Sequence, residues 1–145
     1  MVLDIAHIFL ADDDEDDHFM FVEVLKEIQA PTSLVTASDG EQLMEALHSL
    51  NGNLPDVLFL DLNMPRKNGF QCLVEIRQNE KFSALRTIIF STSYEVEMIK
   101  RLYQNGADHY IKKPTEFGEL KVIIERVLGI IRTPLVRPSI ERFVL

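Results

Sequence analysis

The sequence predicts an α/β domain, a doubly wound architecture in which a parallel sheet of five strands carries helices on both faces. Short apolar runs alternate five times with amphipathic stretches of helical length, and turn-forming residues separate the segments. Short apolar strands separated by helices are typical of a parallel sheet that is covered on both sides. Right-handed crossovers leave few strand arrangements, and sites in such sheets form at the carboxyl ends of the strands.

Five apolar runs predict the strands. The third run, VLFL, is apolar throughout and predicts a strongly buried strand, whereas the second run is the weakest of the five. The predicted strands cover residues 7–11, 34–37, 57–60, 87–90 and 109–111.

The stretches between the strands predict helices, because their apolar residues recur at helical spacing. The first stretch shows this with Phe21, Leu25 and Ile28. Turns are predicted at 31–32 and at 38–40, where proline, glycine and small polar residues stand. The predicted helices cover residues 16–28, a stretch of about ten residues ending near 51–52, 70–78, 95–105 and 116–131.

The chain has 145 residues, a length that fits one domain. We therefore predict one domain over residues 1–131 and a C-terminal tail over residues 132–145. The tail sequence, RTPLVRPSIERFVL, carries two prolines and does not continue the alternation of strands and helices. Because proline restricts the backbone and lacks an N–H group, the tail is predicted to be extended.

The composition narrows the class of protein. Hydrophobic residues make up 46% of the chain, which is enough for a real core, and the net charge of −8 argues against nucleic acid as a direct partner. No apolar run reaches membrane-spanning length, and the N-terminus is too acidic for a signal peptide. The single cysteine, Cys72, excludes an internal disulfide. We expect a cytoplasmic protein that binds neither DNA nor a membrane.

Charged and hydroxyl side chains follow the strands that should lie near the middle of the sheet. Asp12 and Asp13 follow the first strand, Asp61 ends the third, Ser91 follows the fourth and Lys113 follows the fifth. Because the carboxyl ends of parallel strands share one edge of the sheet, these five side chains are expected to converge.

The chemistry of this set is complementary. Three neighbouring carboxylates repel and raise one another's pKa unless a cation lies among them, and Mg²⁺ prefers oxygen ligands. One aspartate can then act as a nucleophile that forms an aspartyl phosphate. The ammonium of Lys113 and the hydroxyl of Ser91 would neutralise or bind phosphoryl oxygens, which is the main requirement of phosphoryl transfer.

Four segments of the sequence resemble the signatures of one family. The segments are IFLADDD (8–14), DVLFLDLNMP (56–65), TIIFSTS (87–93) and GADHYIKKP (106–114). In this order and spacing they resemble response regulator receiver domains, and the resemblance runs from about residue 5 to about residue 131. It implies a flavodoxin-like (βα)5 fold and a stand-alone regulator that resembles chemotaxis regulators.

The resemblance implies a role for each matching residue. Asp61 is the phosphoacceptor, and Mg²⁺ is held by Asp61, Asp13, the backbone carbonyl of Asn63 and, largely through water, Asp12. No other cofactor is implied.

Four further residues match the family pattern around this centre. Lys113 binds the phosphoryl group, Ser91 is the switch hydroxyl and Tyr110 is the aromatic switch residue. Pro114 matches the proline that follows the lysine, with a cis peptide bond as one option.

The resemblance also implies the function. A sensor histidine kinase or phosphotransfer protein would donate the phosphoryl group in a two-component system. The face formed by the fourth helix, fifth strand and fifth helix would then change shape and control a downstream protein. Such a switch is not an enzyme beyond catalysing its own phosphorylation and dephosphorylation.

Two residues depart from the family pattern. Thr92 stands where alanine or glycine is commoner, which bears on phosphate access and lifetime. Asn68 stands before Gly69 where aspartate is usual, a conservative change in a turn. No DNA-binding or catalytic output domain is expected after the domain. The acidic opening and the extended end are similar to stand-alone regulators that accompany bacteriophytochrome-type kinases.

The acidic residues are also compatible in part with three other classes of protein. Residues 12–23 place acids at positions 1, 3, 5 and 12 of a calcium loop, but Asp17 stands where that loop needs glycine. A phosphohydrolase of the haloacid dehalogenase group would need DxDx[TV] after the first strand, which is absent, and no cap insertion is present. A receiver-like adaptor that works without phosphate is the third reading, and the intact acid, hydroxyl and lysine set argues against it.

The fifth helix and the tail carry more apolar residues than one helix face needs. An exposed apolar strip on this helix would mark an interaction site. A two-fold homodimer through the fifth helix and the tail would bury both surfaces. The alternative is that the tail folds back on its own domain and covers the fifth helix.

Overall fold

The computed structural model describes residues 4–145 and has the predicted doubly wound, flavodoxin-like architecture. The strands are β1 (Ala6–Ala11), β2 (Thr32–Ala37), β3 (Val57–Leu60), β4 (Thr87–Ser91) and β5 (His109–Lys112). The helices are α1 (Glu15–Glu27), α2 (Gly40–His48), α3 (Gly69–Gln78), α4 (Val96–Gln104) and α5 (Phe117–Ile130), followed by a 3-10 helix (Ile140–Arg142). Within residues 4–145, the five strands are parallel and pair in the order β2-β1-β3-β4-β5.

Two hydrophobic cores lie on opposite faces of the sheet, which explains why the central strand β3 is apolar at every position. In β3, Leu58 and Leu60 face the core that α2, α3 and α4 cover, whereas Val57 and Phe59 face the core under α1 and α5. Phe59 packs edge-on against Phe21 of α1, with ring centroids 5.0 Å apart. Burial on both faces holds β3 at the centre of the sheet and thereby positions the residue that follows it.

Short polar side chains begin the first three helices at the edge where the strands end. Asp14 caps α1 by accepting from the Asp16 N–H, and Asp39 caps α2 by accepting from the Gln42 N–H. Asn68 forms a capping box with Gln71 at the start of α3. The departure at Asn68 is therefore conservative, because an amide oxygen fills the capping role that a carboxylate can fill.

Gly69 begins α3, one residue before the predicted start. A Cβ atom at this position would lie 2.1 Å from the carbonyl oxygen of Asp61. The helix can pass this close to the end of β3 because residue 69 has no side chain. The contact holds the loop between β3 and α3 against the backbone of Asp61.

The tail follows one of the two expected courses, although it packs on different elements. Residues 134–139 have no regular structure, as predicted, but the 3-10 helix and a parallel bridge between Tyr110 and Val144 follow. The Tyr110 N–H donates to the Phe143 carbonyl (3.0 Å), and the Leu145 N–H donates to the Tyr110 carbonyl (2.9 Å). The tail thus folds back on its own domain, where it covers the edge of β5.

The tail also packs across α4. The Tyr103 hydroxyl donates to the Pro138 carbonyl at 2.8 Å, and the guanidinium of Arg137 lies 3.9 Å from the centroid of the Tyr103 ring. Phe143 is fully buried and meets Tyr103 edge-on, with centroids 5.2 Å apart. The course over β5 and α4, rather than over α5, is the difference from the sequence prediction.

The prediction of an exposed apolar strip on α5 is largely wrong. Leu120, Ile124 and Val127 are buried in the core beneath α1 and α5, and Ile123 packs against that core. Val122 is exposed. The apolar surplus is used because α5 packs against α1 and shares a core with residues of the sheet. Within residues 4–145, no helix combines the length and the apolar character needed to cross a membrane.

Replacing Phe143 with alanine tests whether the tail is part of the core. Phe143→Ala should lower the free energy of unfolding by about 3 kcal/mol, near the lower end for a buried phenylalanine because the chain end can rearrange. Urea denaturation measures this change. The control is Val136→Ala, since Val136 is 78% exposed and should change stability by less than about 0.5 kcal/mol. Equal, small effects of both substitutions would contradict this packing.

Candidate functional site

Three aspartates meet at the carboxyl edge of the sheet, as the sequence predicts. One carboxylate oxygen from each of Asp12, Asp13 and Asp61 lies within 4.8 Å of the others. Asp12 and Asp61 are buried, whereas Asp13 is exposed. The cluster is therefore open to solvent on the side of Asp13 and closed beneath.

The sheet register produces this cluster. Ala11 of β1 pairs with Leu60 of β3, so the residues that follow them, Asp12 and Asp61, leave the sheet side by side. The Asp61 N–H continues the ladder by donating to the Ala11 carbonyl at 2.9 Å. The backbone beneath both carboxylates is thus fixed by regular sheet hydrogen bonds.

Lys113 brings the positive charge to the cluster. Its Nζ lies 2.8 Å from an Asp12 oxygen and 3.3 Å from an Asp61 oxygen, and its side chain is only 8% exposed. The Lys113 N–H donates to the Ser91 carbonyl at 2.8 Å, which continues the pairing of β4 with β5. The Phe90 ring lies below the ammonium, 5.6 Å from Nζ. The ammonium is thus held between β1, β3 and β4.

Burial and charge shift two pKa values in the cluster. Burial raises the pKa of Asp12 to about 7, and the nearby Lys113 ammonium and the Asp14 N–H only partly oppose this rise. Burial by itself lowers the pKa of Lys113, but its contacts with Asp12 and Asp17 outweigh burial and raise that pKa above its ordinary value. Lys113 is therefore a permanent cation that only partly compensates the neighbouring carboxylates.

The donor set fits a hard divalent cation. Among the described residues, the buried Oδ2 of Asp12 has no hydrogen-bond partner of good geometry, although Lys113 Nζ is close. A buried carboxylate oxygen with no well-aligned hydrogen bond, beside two further carboxylates, belongs to the kind of ligand set that Mg²⁺ or a similar ion prefers. Asn63 lies two residues beyond Asp61, with its N–H 3.4 Å from Asp61 Oδ1. The role of the Asn63 carbonyl stays a prediction.

The two predicted switch residues are both buried and are linked through one loop. Ser91 ends β4, and its Oγ accepts from the Ser93 N–H at 3.2 Å. The Tyr110 hydroxyl donates to the Ser93 carbonyl. Its ring stands edge-on to Tyr94, with centroids 6.4 Å apart. Tyr110 is thus buried and is bonded through its hydroxyl to the loop after β4.

The structure excludes two alternatives that the sequence had left open or disfavoured, and it identifies a contact that the sequence analysis missed. Within the described residues no peptide bond is cis, so the bond before Pro114 is trans, the more stable form. The calcium-loop reading is excluded, because β1 runs up to Ala11 and α1 begins at Glu15. The missed contact joins Asp17 Oδ2 to Lys113 Nζ at 2.8 Å. Asp17 lies in the first turn of α1, only a few residues beyond Asp12 and Asp13, and this closeness in sequence is the signal that could have indicated it.

A doubly wound sheet with an acidic, lysine-containing site at its carboxyl edge is the arrangement that the sequence resemblance to receiver domains implies. The comparison with protein families agrees, since the profile described as "Response regulator receiver domain" matches residues 8–125. The chain belongs to the response regulator receiver domain family.

Several curated proteins are similar to this chain. Rcp1, a response regulator of Synechocystis sp., is 29% identical, and the alignment covers 85% of this chain and 84% of Rcp1. The nitrate/nitrite response regulator protein NarL of Escherichia coli is 36% identical over 87% of this chain, but the match covers only 61% of NarL. The probable methanogenesis regulatory protein FilR2 of Methanothrix harundinacea is 25% identical, and the alignment covers 88% of this chain and 86% of FilR2.

Solved structures show the same fold. The phosphorylated cyanobacterial phytochrome response regulator RcpA is 28% identical, with a TM-score of 0.82 over 94% of this chain and all of RcpA. The Mn²⁺-bound form of Rcp1 has a TM-score of 0.78 at 25% identity, covering 92% of this chain and 99% of that one. RPA3017, a response regulator in red light signalling of R. palustris, has a TM-score of 0.80 at 26% identity. The match covers 92% of this chain and 98% of RPA3017.

Removing the exposed ligand should weaken metal binding without weakening the fold. Asp13→Asn should lower Mg²⁺ affinity by at least about tenfold, because one of few protein ligands loses its charge. The metal-free variant should be no less stable than the wild type, because carboxylate repulsion falls. Isothermal titration calorimetry measures the affinity, and Asp16→Asn, an exposed neighbour outside the cluster, is the control. Equal affinities of both variants would contradict the assignment.

Proposed function

We propose that this chain is a phosphorylation-dependent switch of a two-component system and works in the cytoplasm. Asp61 accepts a phosphoryl group from a sensor histidine kinase or a phosphotransfer protein, with Mg²⁺ as the cofactor. The observation that supports this most strongly is the buried Lys113 ammonium beside Asp12 and Asp61. The chain acts on no other substrate and catalyses only its own phosphorylation and dephosphorylation.

Each residue of the site has its own role in the phosphoryl transfer. An Asp61 carboxylate oxygen attacks the phosphorus of a phosphohistidine, the phosphorus–nitrogen bond breaks, and the imidazole leaves with its electron pair. Lys113 offers its ammonium to a phosphoryl oxygen, because it already lies 3.3 Å from the acceptor carboxylate. Asp12, Asp13 and Asp61 would hold the Mg²⁺, which supplies charge neutralisation for the transferred oxygens.

The response to phosphorylation runs along hydrogen bonds that start at Ser91. The new group carries about −1.5 to −2 charges and attracts the Ser91 hydroxyl. The Ser93 N–H donates to that hydroxyl, and the Ser93 carbonyl accepts from Tyr110. A movement of Ser91 therefore shifts the loop before α4 and alters the bond that holds Tyr110. The outcome is a population shift between two shapes of the face formed by α4, β5 and α5.

The tail belongs to the surface that a downstream protein would meet. It pairs with the backbone of Tyr110 and crosses Tyr103 of α4. A shift of Tyr110 is thus transmitted to the tail. The partner contacts the tail together with the face formed by α4, β5 and α5. The net charge of −8 argues against DNA as that partner.

Two further assignments are part of this proposal. The similarity to RcpA and RPA3017 favours a phytochrome-type kinase as the phosphoryl donor. A homodimer through α5 and the tail also stays a prediction. The apolar side chains available to it are Val122 of α5 with Leu135, Val136 and Ile140 of the tail, all of which are exposed. Phe143 is not available, because it is buried in its own domain.

Beryllofluoride, an analogue of the phosphoryl group, tests the acceptor and the relay in one NMR experiment. With Mg²⁺ present, it should shift amide signals of the wild type in the loop after β4, in β5, in α4 and in the tail. Asp61→Asn should show no response, because the acceptor carboxylate is gone. Ser91→Ala should bind the analogue but show smaller changes in α4 and the tail. The relay would be refuted if Ser91→Ala gave the same shifts as the wild type.

A further inference from the structure

A fourth carboxylate reaches the site from α1. Asp17 Oδ2 accepts a hydrogen bond from Lys113 Nζ at 2.8 Å, which is shorter than the 3.3 Å separation between that ammonium and Asp61. Asp17 is not part of the three-carboxylate cluster that could hold a metal ion. Its contact therefore requires an explanation other than metal binding.

The pair is shielded from solvent more than an ordinary surface ion pair. The Lys113 side chain is 8% exposed and the Asp17 side chain is 29% exposed. Screening by water and salt weakens exposed pairs much more than pairs in such a position. The contact with Asp17 therefore influences where the ammonium lies.

The ammonium has three N–H donors, and three carboxylates surround it. A phosphoryl group on Asp61 needs one of these donors, so it competes with the carboxylates that already hold them. Asp12 and Asp61 belong to the proposed metal centre, whereas Asp17 has no described role besides holding Lys113. Asp17 also places a negative charge close to an incoming anion.

We propose that Asp17 is a positioning residue that restrains Lys113 and competes with the phosphoryl group for its ammonium. This proposal rests on the function proposed above and assigns a residue that tunes it. Asp17 lowers the occupancy of the phosphorylated form at a given supply of donor. The position of Asp17 on α1, outside the strand-end residues, allows this tuning without a change in the acceptor or the metal ligands.

Removing the charge of Asp17 should strengthen binding of a phosphoryl analogue. At saturating Mg²⁺, Asp17→Asn should bind beryllofluoride about five- to tenfold more tightly than the wild type, because a neutral amide holds the ammonium less strongly and one like charge is lost. NMR titration of the amide signals measures this affinity, which suits a chain without tryptophan. Asp17→Glu keeps the charge within reach of Lys113 and should restore an affinity near that of the wild type.

A matched control separates the contact from the loss of net charge. Asp16→Asn removes the same charge from the same helix turn, but Asp16 is exposed and its backbone N–H bonds Asp14. Its affinity should stay within about twofold of the wild type, since exposed charges are screened. A change in thermal stability alone would not produce these differences in affinity, because the NMR titration measures binding by the folded form of each variant.

The outcomes distinguish this inference from the function on which it rests. Tighter binding by Asp17→Asn, with Asp16→Asn and Asp17→Glu near the wild type, supports the inference. Unchanged or weaker binding by Asp17→Asn, while the wild type binds the analogue, overturns the role of Asp17 alone. Failure of the wild type to bind the analogue overturns the proposed function, and the role of Asp17 is overturned with it.

Discussion

The buried ammonium of Lys113 is the interaction on which the whole site depends. Three carboxylates lie within 3.3 Å of it, and burial still raises the pKa of Asp12 to about 7. The lysine therefore balances only part of the negative charge that the parallel strands bring to one edge. This remaining imbalance explains why a divalent cation fits the cluster.

A second constraint connects this site to the opposite side of β5. Ser93 bonds both Ser91 and Tyr110, and the backbone of Tyr110 bonds the tail on its free edge. Phe143 fills the space beside Tyr110 and Tyr103. The surface that would carry the signal is thus partly built from the last residues of the chain, so its shape depends on a segment that lies outside the repeated strand and helix units.

The sequence predicted what depends on local pattern and on the geometry of parallel sheets. Continuous apolar runs such as 57–60 indicated the sheet, and residues directly after strands indicated Asp12, Asp61 and Lys113. The contact between Asp17 and Lys113 was missed because it joins residues 96 positions apart on a helix and after a strand. The packing of the tail on β5 and α4 was not predicted, because it depends on contacts with Tyr103 and Tyr110 that only tertiary packing creates.

The most direct test of the account identifies the residue that accepts the phosphoryl group. The protein is incubated with Mg²⁺ and acetyl phosphate, reduced with borohydride to convert aspartyl phosphate to homoserine, and digested for mass spectrometry. Homoserine is expected at position 61 and at no other aspartate of the site. Homoserine at position 12, 13 or 17, or a phosphorylated protein with aspartate intact at position 61, would contradict it.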